Sequence, residues 1–219
     1  SPNFSCGLPS TLFDLPLENR VFDPPLSFFH GDHDLAFLRV SADEFSIEWF
    51  DETCGQLLDH LDQRGLRDNT IILFASDNGW IQREDRRGYA PRSKRSPNEG
   101  GVRTPIMISW PGHVTPGKHE QLTSTIDFAP TVLQACGIRA SHSLPGRDLV
   151  ALANQTAPDR ETVYGEIFAH DVADVDDPSR SLLFRWLVYD RWKLIVPTAA
   201  NAGTELYDVL HDPTEERNL

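Results

Sequence analysis

The run Thr70-Ile71-Ile72-Leu73-Phe74-Ala75 constrains this chain more than any other stretch, because it is unbroken, apolar after its first residue and β-branched at its start. A short run of this kind fits a strand buried on both faces of a parallel sheet. From about Leu35 to Arg64 the apolar positions Phe37, Leu38, Phe45, Trp49, Leu57, Leu58 and Leu61 recur at helical spacing, with Gly65 as a stop signal and a break near Ser41. A helix followed by a buried strand is an α/β signature.

Further along, a second strand is expected at Pro105 to Trp110, ended by the Pro111-Gly112 turn. A helix is expected from Asp127 to Cys136, stopped by Gly137, with Ile126, Val132 and Leu133 on its core-facing stripe. After Leu144-Pro145-Gly146-Arg147-Asp148-Leu149 the texture changes to short strands at Thr162 to Phe168, Leu183 to Tyr189, Trp192 to Val196 and Glu205 to Tyr207. Asp190-Arg191 marks a tight hairpin without the usual glycine. The expected fold is therefore α/β: part of a mostly parallel sheet flanked by helices, followed by a small antiparallel C-terminal sheet with helix. Three regions follow from it. Residues 1–34, interrupted by Pro2, Pro9, Pro16, Pro24, Pro25 and Gly31, wrap a surface irregularly; 35–150 form the α/β part; 151–219 form the small antiparallel subdomain.

Charge and cysteine content bound the function. A formal net charge of -13 over 219 residues argues against nucleic acid as the main partner, since phosphate contacts need a basic footprint. The charge is uneven, with Arg83, Arg86, Arg87, Arg92, Lys94, Arg95 and Arg103 in one segment and Asp171, Asp174, Asp176 and Asp177 in another. The acidic cluster reads as a solvated face. Cys6, Cys54 and Cys136 lack the paired short spacing of a disulfide framework or zinc site. No run reaches the roughly 20 apolar residues of a membrane span. The opening at Ser1 shows no signal-peptide pattern and reads as a processed or truncated start.

The chemistry gathers where the first strand ends. In open α/β sheets ligands sit beyond the carboxyl ends of strands, and Asp77-Asn78 stands at such an end. One carboxylate and one amide carbonyl, with Gly79 free to take an unusual backbone angle, suit a hard divalent cation such as Ca2+ or Mg2+. The same Asp-Asn-Gly is also a common turn. Lys94 offers a point charge for a sulfuryl or phosphoryl oxygen, or is an exposed loop lysine; Glu99-Gly100-Gly101 reads as a flexible turn held by a carboxylate. Trp80 is either a stacking surface for a sugar ring or a buried aromatic. His170 and Asp171, after Tyr164-Gly165-Glu166-Ile167-Phe168, either contact the alcohol side of a substrate or cap their own loop.

The succession of motifs resembles the sulfatase family of the alkaline-phosphatase-like superfamily. It comprises the helix ending Leu57-Leu58-Asp59-His60-Leu61, then Asp68-Asn69-Thr70-Ile71-Ile72, Ser76-Asp77-Asn78-Gly79, Lys94 ahead of Glu99-Gly100-Gly101, Val102-Arg103-Thr104-Pro105 and Trp110-Pro111-Gly112. Ser124-Thr125-Ile126-Asp127-Phe128-Ala129-Pro130-Thr131, Leu144 to Leu149, Trp192-Lys193-Leu194-Ile195, Glu205-Leu206-Tyr207-Asp208 and Arg217-Asn218-Leu219 continue it in order. The resemblance covers about 35 to 219 and implies the C-terminal half of a sulfuric ester hydrolase. It implies Ca2+ held partly by Asp77 and Asn78, a sulfate contact at Lys94, and a sulfated small molecule or carbohydrate as substrate. A periplasmic or extracellular location is compatible with it.

The departures matter equally. The family's Cys-x-Pro-Ser-Arg motif, whose cysteine becomes formylglycine, and its paired metal-binding aspartates are not found; Cys6-Gly7-Leu8-Pro9-Ser10-Thr11 has the wrong spacing and no arginine. His30 and His33 do not stand in for the family's missing acid and base histidines. The expectation is thus a truncated chain, inactive alone. Its rivals are a non-catalytic or split-partner module that docks on a missing N-terminal half, and a phosphonate or phosphate monoester hydrolase of the same superfamily.

Overall fold

The computed structural model describes residues 27–29, 44–85 and 87–219, and two four-stranded sheets organise them. The first sheet has the order β2-β3-β1-β4, built from β1 (Ser27–Phe29), β2 (Ile72–Ala75), β3 (Ile106–Ser109) and β4 (Gly117–His119). Helix α1 (Glu44–Gln63) precedes β2, the single-turn helix α2 (Glu99–Val102) precedes β3, and α3 (Phe128–Ala135) and α4 (Leu149–Ala153) follow β4.

The α/β class holds, but the sheet is more mixed than its apolar run implies. Strand β3 is antiparallel to both β2 and β1, and β1 with β4 is the one parallel pair among the described strands. A parallel return needs a crossover that spans the sheet, usually a helix. Residues 76–105 provide a loop and one helical turn instead. Strand β2 is accordingly half-buried along its length, not buried on both faces. The expected irregular segment 1–34 contributes a strand, with Phe28 opposite Met107 on one side and Lys118 on the other. The rest of that segment, including Cys6, and the expected helical residues 35–43 lie outside the described residues.

Helix α1 runs to Gln63 and ends where Gly65 adopts φ +62°, a conformation that favours glycine. Its apolar pattern does not all turn inward: Trp49 and Leu57 are 62% and 55% exposed, while the Phe50 ring meets Phe74 of β2 at 6.0 Å. The core lies between β3 and α4, where Ile106, Ile108, Val114, Leu149 and Leu152 are buried together, with Leu73 and Phe128 against them. Complete burial of a side chain such as Ile108 contributes about 1.5–3 kcal/mol.

Helix α3 forms where expected, but its buried face is polar. Ile126 and Val132 are exposed, whereas Asp127 and Thr131 are fully buried. Asp127 accepts from the backbone N–H of Ser124 and Arg147 and pairs with Arg160, so a carboxylate hub replaces the predicted apolar stripe.

Strands β5 (Thr162–Phe168), β6 (Leu182–Tyr189), β7 (Trp192–Pro197) and β8 (Glu205–Asp208) form the second sheet, antiparallel throughout. Tyr189 pairs with Trp192 across the two-residue turn, and Asp190 takes φ +52° in place of glycine. Aspartate is among the residues that tolerate this conformation. No helix among the described residues is long and apolar enough to cross a membrane.

Candidate functional site

Strand β2 delivers Ser76, Asp77, Asn78 and Gly79 at its carboxyl end, and hydrogen bonds hold them there. Ser76 Oγ donates to the Asn78 carbonyl at 3.1 Å, and Asn78 Nδ2 donates to the Gly79 carbonyl at 3.0 Å. With its nitrogen so used, the Asn78 amide keeps Oδ1 as an acceptor. Asp77 is exposed and Asn78 half-buried.

Gly79 is not at the unusual backbone angle expected of it, since it is absent from the positive-φ glycines of the described chain. What it needs is room. A Cβ there would lie 2.3 Å from the Gly100 carbonyl oxygen, and Gly79 donates its N–H to Gly101 at 2.9 Å. The Glu99-Gly100-Gly101 segment is likewise no flexible turn: it is the buried helix α2, packed directly beneath the loop.

A second loop is laced to the first. Ile81 N–H donates to the buried Ser93 Oγ, Ala90 N–H donates to the Ile81 carbonyl at 2.7 Å, and Gln82 bridges to Tyr89. Lys94 follows Ser93, and its ammonium lies 5.6 Å from the Trp80 ring centroid, a cation–π distance. Trp80 itself meets Tyr89 edge-on and donates from Nε1 to Gln82 at 3.1 Å. Arg92 and Arg95, which bracket Ser93 and Lys94, both have positive φ. Non-glycine residues held this way concentrate where a surrounding structure fixes a particular geometry.

The structure therefore gathers Asp77, Asn78, Trp80 and Lys94 onto two tied loops. It does not bring His170 to them by any described contact. That residue is exposed just after β5, where Ala169 N–H bonds the Ser181 carbonyl. The neighbouring acidic cluster is spent locally, Asp174 on Arg180 and Asp177 on Ser179. A cleft of about 620 Å3 lies elsewhere, lined in part by Lys118, Glu120, Asp159 and Glu161, and none of the candidate residues lines it.

The donor set at the loop fits a hard cation in kind, with a carboxylate and an amide oxygen on consecutive residues. It falls short in number, because no group of three or more His, Cys, Asp or Glu able to hold a metal occurs among the described residues. Burial and the nearby Asp51 carboxylate push the Cys54 thiol up, away from the reactive thiolate.

Residues to which the sequence reading gave no supporting role for this loop hold the region from behind. Lys193 on β7 is fully buried with its Nζ 2.7 Å from Glu99 Oε1 and 3.2 Å from Glu215 Oε1. Arg92 donates to the Glu215 carbonyl, and burial pushes the Glu215 carboxyl above its ordinary value. The pairing of Trp192-Lys193 with Glu99 leaves no local signal, since the partners are far apart in the chain.

Asp77, Asn78, Trp80 and Lys94 thus lie on two tied loops of an α/β chain, and comparison with known proteins identifies its family. The sulfatase family model matches residues 41–138, and that of the N-sulphoglucosamine sulphohydrolase C-terminal region matches residues 90–219. The chain belongs to the sulfatase family. It is 27% identical over 241 residues to an N-acetylgalactosamine-6-O-sulfatase of Bacteroides thetaiotaomicron, covering 90% of this chain and 44% of that one. It is similar to the structure of BT4656 in complex with its substrate D-glucosamine-2-N,6-O-disulfate, with a TM-score of 0.65 and 28% identity over 78% of this chain and 34% of that one. The phosphonate monoester hydrolase of Agrobacterium radiobacter is also similar, with a TM-score of 0.63 and 25% identity over 78% and 35% of the two chains. The chain thus spans less than half the length of these relatives.

Proposed function

We propose that this chain supplies the loop and lysine side of a calcium-dependent sulfuric ester hydrolase, which converts a sulfate ester and water into an alcohol and sulfate. The observation that carries this reading is the placement of Asp77 and Asn78 at the end of β2, with Lys94 held over Trp80 on the adjoining loop. Asp77 Oδ and Asn78 Oδ1 would hold Ca2+, which when bound supplies Lewis-acid polarisation of the ester oxygens. Lys94 places a compact positive charge where the sulfuryl oxygens gain charge in the transition state. Trp80 restrains that ammonium and screens one side of it from water. His170 is the proposed contact on the alcohol side, with a sulfated sugar as substrate.

The family's formylglycine motif is not formed by any of the 219 residues, so we propose no turnover by this chain alone. A second reading is favoured by the surface of the fold. Among the described strands β2 stands at the sheet edge with an uncharged Ile-Leu-Phe-Ala sequence, and Trp49 and Leu57 are exposed on α1. Unprotected apolar edges invite pairing. A polypeptide carrying the nucleophile and the remaining metal ligands is the proposed occupant.

The test is titration calorimetry of the 219-residue chain with CaCl2, alongside a 4-nitrophenyl sulfate assay. Two ligands should give weak binding, with Kd on the order of 10⁻³ M, lost in Asp77→Ala. Equal binding by the variant overturns the metal reading. Turnover that Asp77→Ala abolishes overturns the claim of inactivity. Cleavage of a phenyl phosphonate but not the sulfate, in the presence of a complementing chain, favours the phosphonate hydrolase instead.

A further inference from the structure

We infer that Lys193, in the C-terminal sheet, is a positioning residue for the Asp77-Asn78 loop, acting through Glu99 and helix α2. This rests on the proposed role of that loop but adds a residue that touches neither metal nor substrate.

A fully buried ammonium is costly unless it is paired and hydrogen-bonded. Lys193 meets that need with two carboxylates, Glu99 at 2.7 Å and Glu215 at 3.2 Å, and lies 5.5 Å from the Trp186 ring centroid. Both carboxylates also grip α2. Glu99 is its first residue, and the Glu99 backbone N–H donates to Glu215 Oε2 at 2.7 Å. The other Glu99 oxygen faces Arg103 at 3.5 Å. The start of α2 is therefore held through its side chain and its backbone by residues of the C-terminal region.

The next two residues of α2 carry that hold to the loop. Gly79 N–H donates to the Gly101 carbonyl, and Gly79 is packed so closely on Gly100 that no Cβ fits between them. Gly79 directly follows Asn78. A shift of α2 must move Gly79, and with it the orientation of the two proposed ligands. A cluster needed only for stability could be apolar, since replacing buried ion pairs by well-packed neutral groups is often neutral or stabilising. A hydrogen bond from the ammonium to Glu99, together with its ion pair to Glu215, which itself accepts the Glu99 N–H, selects a single placement of α2.

The test compares three full-length variants by amide hydrogen exchange: Lys193→Met, the neutral triple variant Lys193→Met/Glu99→Gln/Glu215→Gln, and Asp77→Ala. The triple variant leaves no buried charge unpaired and keeps the inference testable should the single variant fail to fold. We expect the Gly79 N–H to exchange at least about tenfold faster in the triple variant, with the amides of β2 and β6 unchanged. Uniform acceleration of all amides, or no change at Gly79, makes Lys193 merely structural and overturns the inference. Calcium calorimetry on the same proteins separates the two claims. Affinity lost in Asp77→Ala but kept in the triple variant sinks this inference alone, whereas affinity unchanged in Asp77→Ala sinks the metal reading on which it rests.

Discussion

Gly79 and Gly101 are joined by a backbone hydrogen bond of 2.9 Å that clamps the end of β2 onto helix α2. The clamp works because neither partner presents a side chain at the contact. At Gly79 an added Cβ would meet the Gly100 oxygen at 2.3 Å and carbon at 2.8 Å, both backbone atoms that cannot swing aside. We predict that Gly79→Ala lowers stability by about 1–3 kcal/mol through overpacking and weakens calcium binding. Gly65→Ala, where φ is +62° and nothing lies near, should cost about 1–2 kcal/mol for its left-handed backbone and leave calcium binding unchanged. Urea denaturation with calorimetry on both variants checks this; equal effects on binding would show that the contact is not transmitted.

The Asp127 carboxylate accepts four hydrogen bonds, from Arg147 N–H at 2.8 Å, Ser124 N–H at 2.8 Å, and Arg160 at 3.0 and 2.5 Å. Its own carbonyl accepts from Thr131 Oγ1, which in turn accepts from Leu149 N–H, so the hub ties α3 to α4. Removing the carboxylate strands a buried guanidinium. Asp127→Ala is predicted to cost about 3–5 kcal/mol, read as a fall in the urea midpoint. The double variant Asp127→Leu/Arg160→Met should recover most of that loss. A double variant as unstable as the single would show that the backbone bonds, not the charge pair, dominate.

These two sites show what was legible in the amino-acid sequence. Most strands were, because an apolar run such as Ile71 to Ala75 and a pair such as Asp190-Arg191 carry local information about period and backbone conformation; the short β1 and β4, at Ser27–Phe29 and Gly117–His119, were not. Asp77, Asn78 and Lys94 were singled out by residue type alone, as suited to a cation and an anion, and the structure sets them on two loops tied together. Pairing direction was not, since an apolar run reads the same beside a parallel or an antiparallel neighbour. Nor was the polar face of α3: Ile126 and Leu133, seven residues apart, have helical spacing, but Asp127 wins the interior because buried N–H groups and Arg160 satisfy it. The ion pair of Glu99 with Lys193 joins residues 94 positions apart, and no local pattern encodes such a meeting.

The pH dependence of stability follows from Glu215. Burial raises its carboxyl pKa, with the Glu99 charge adding to the rise, against the opposing pull of Lys193, the Glu99 N–H and Asn98. The folded chain therefore holds this proton more tightly than the unfolded chain. As pH climbs above 4.5 toward the folded value, the unfolded state releases its proton first and stability falls. Asp212 acts in the opposite sense and in another window. The backbone N–H groups of Arg217 and Glu216 lower its pKa, so its contribution is lost as pH drops below 3.8. Glu215→Gln removes only the first effect. Urea midpoints at pH 4.5, 5.5 and 6.5 should fall less steeply for the variant than for the parent chain, whereas parallel curves would place the raised carboxyl elsewhere in the cluster.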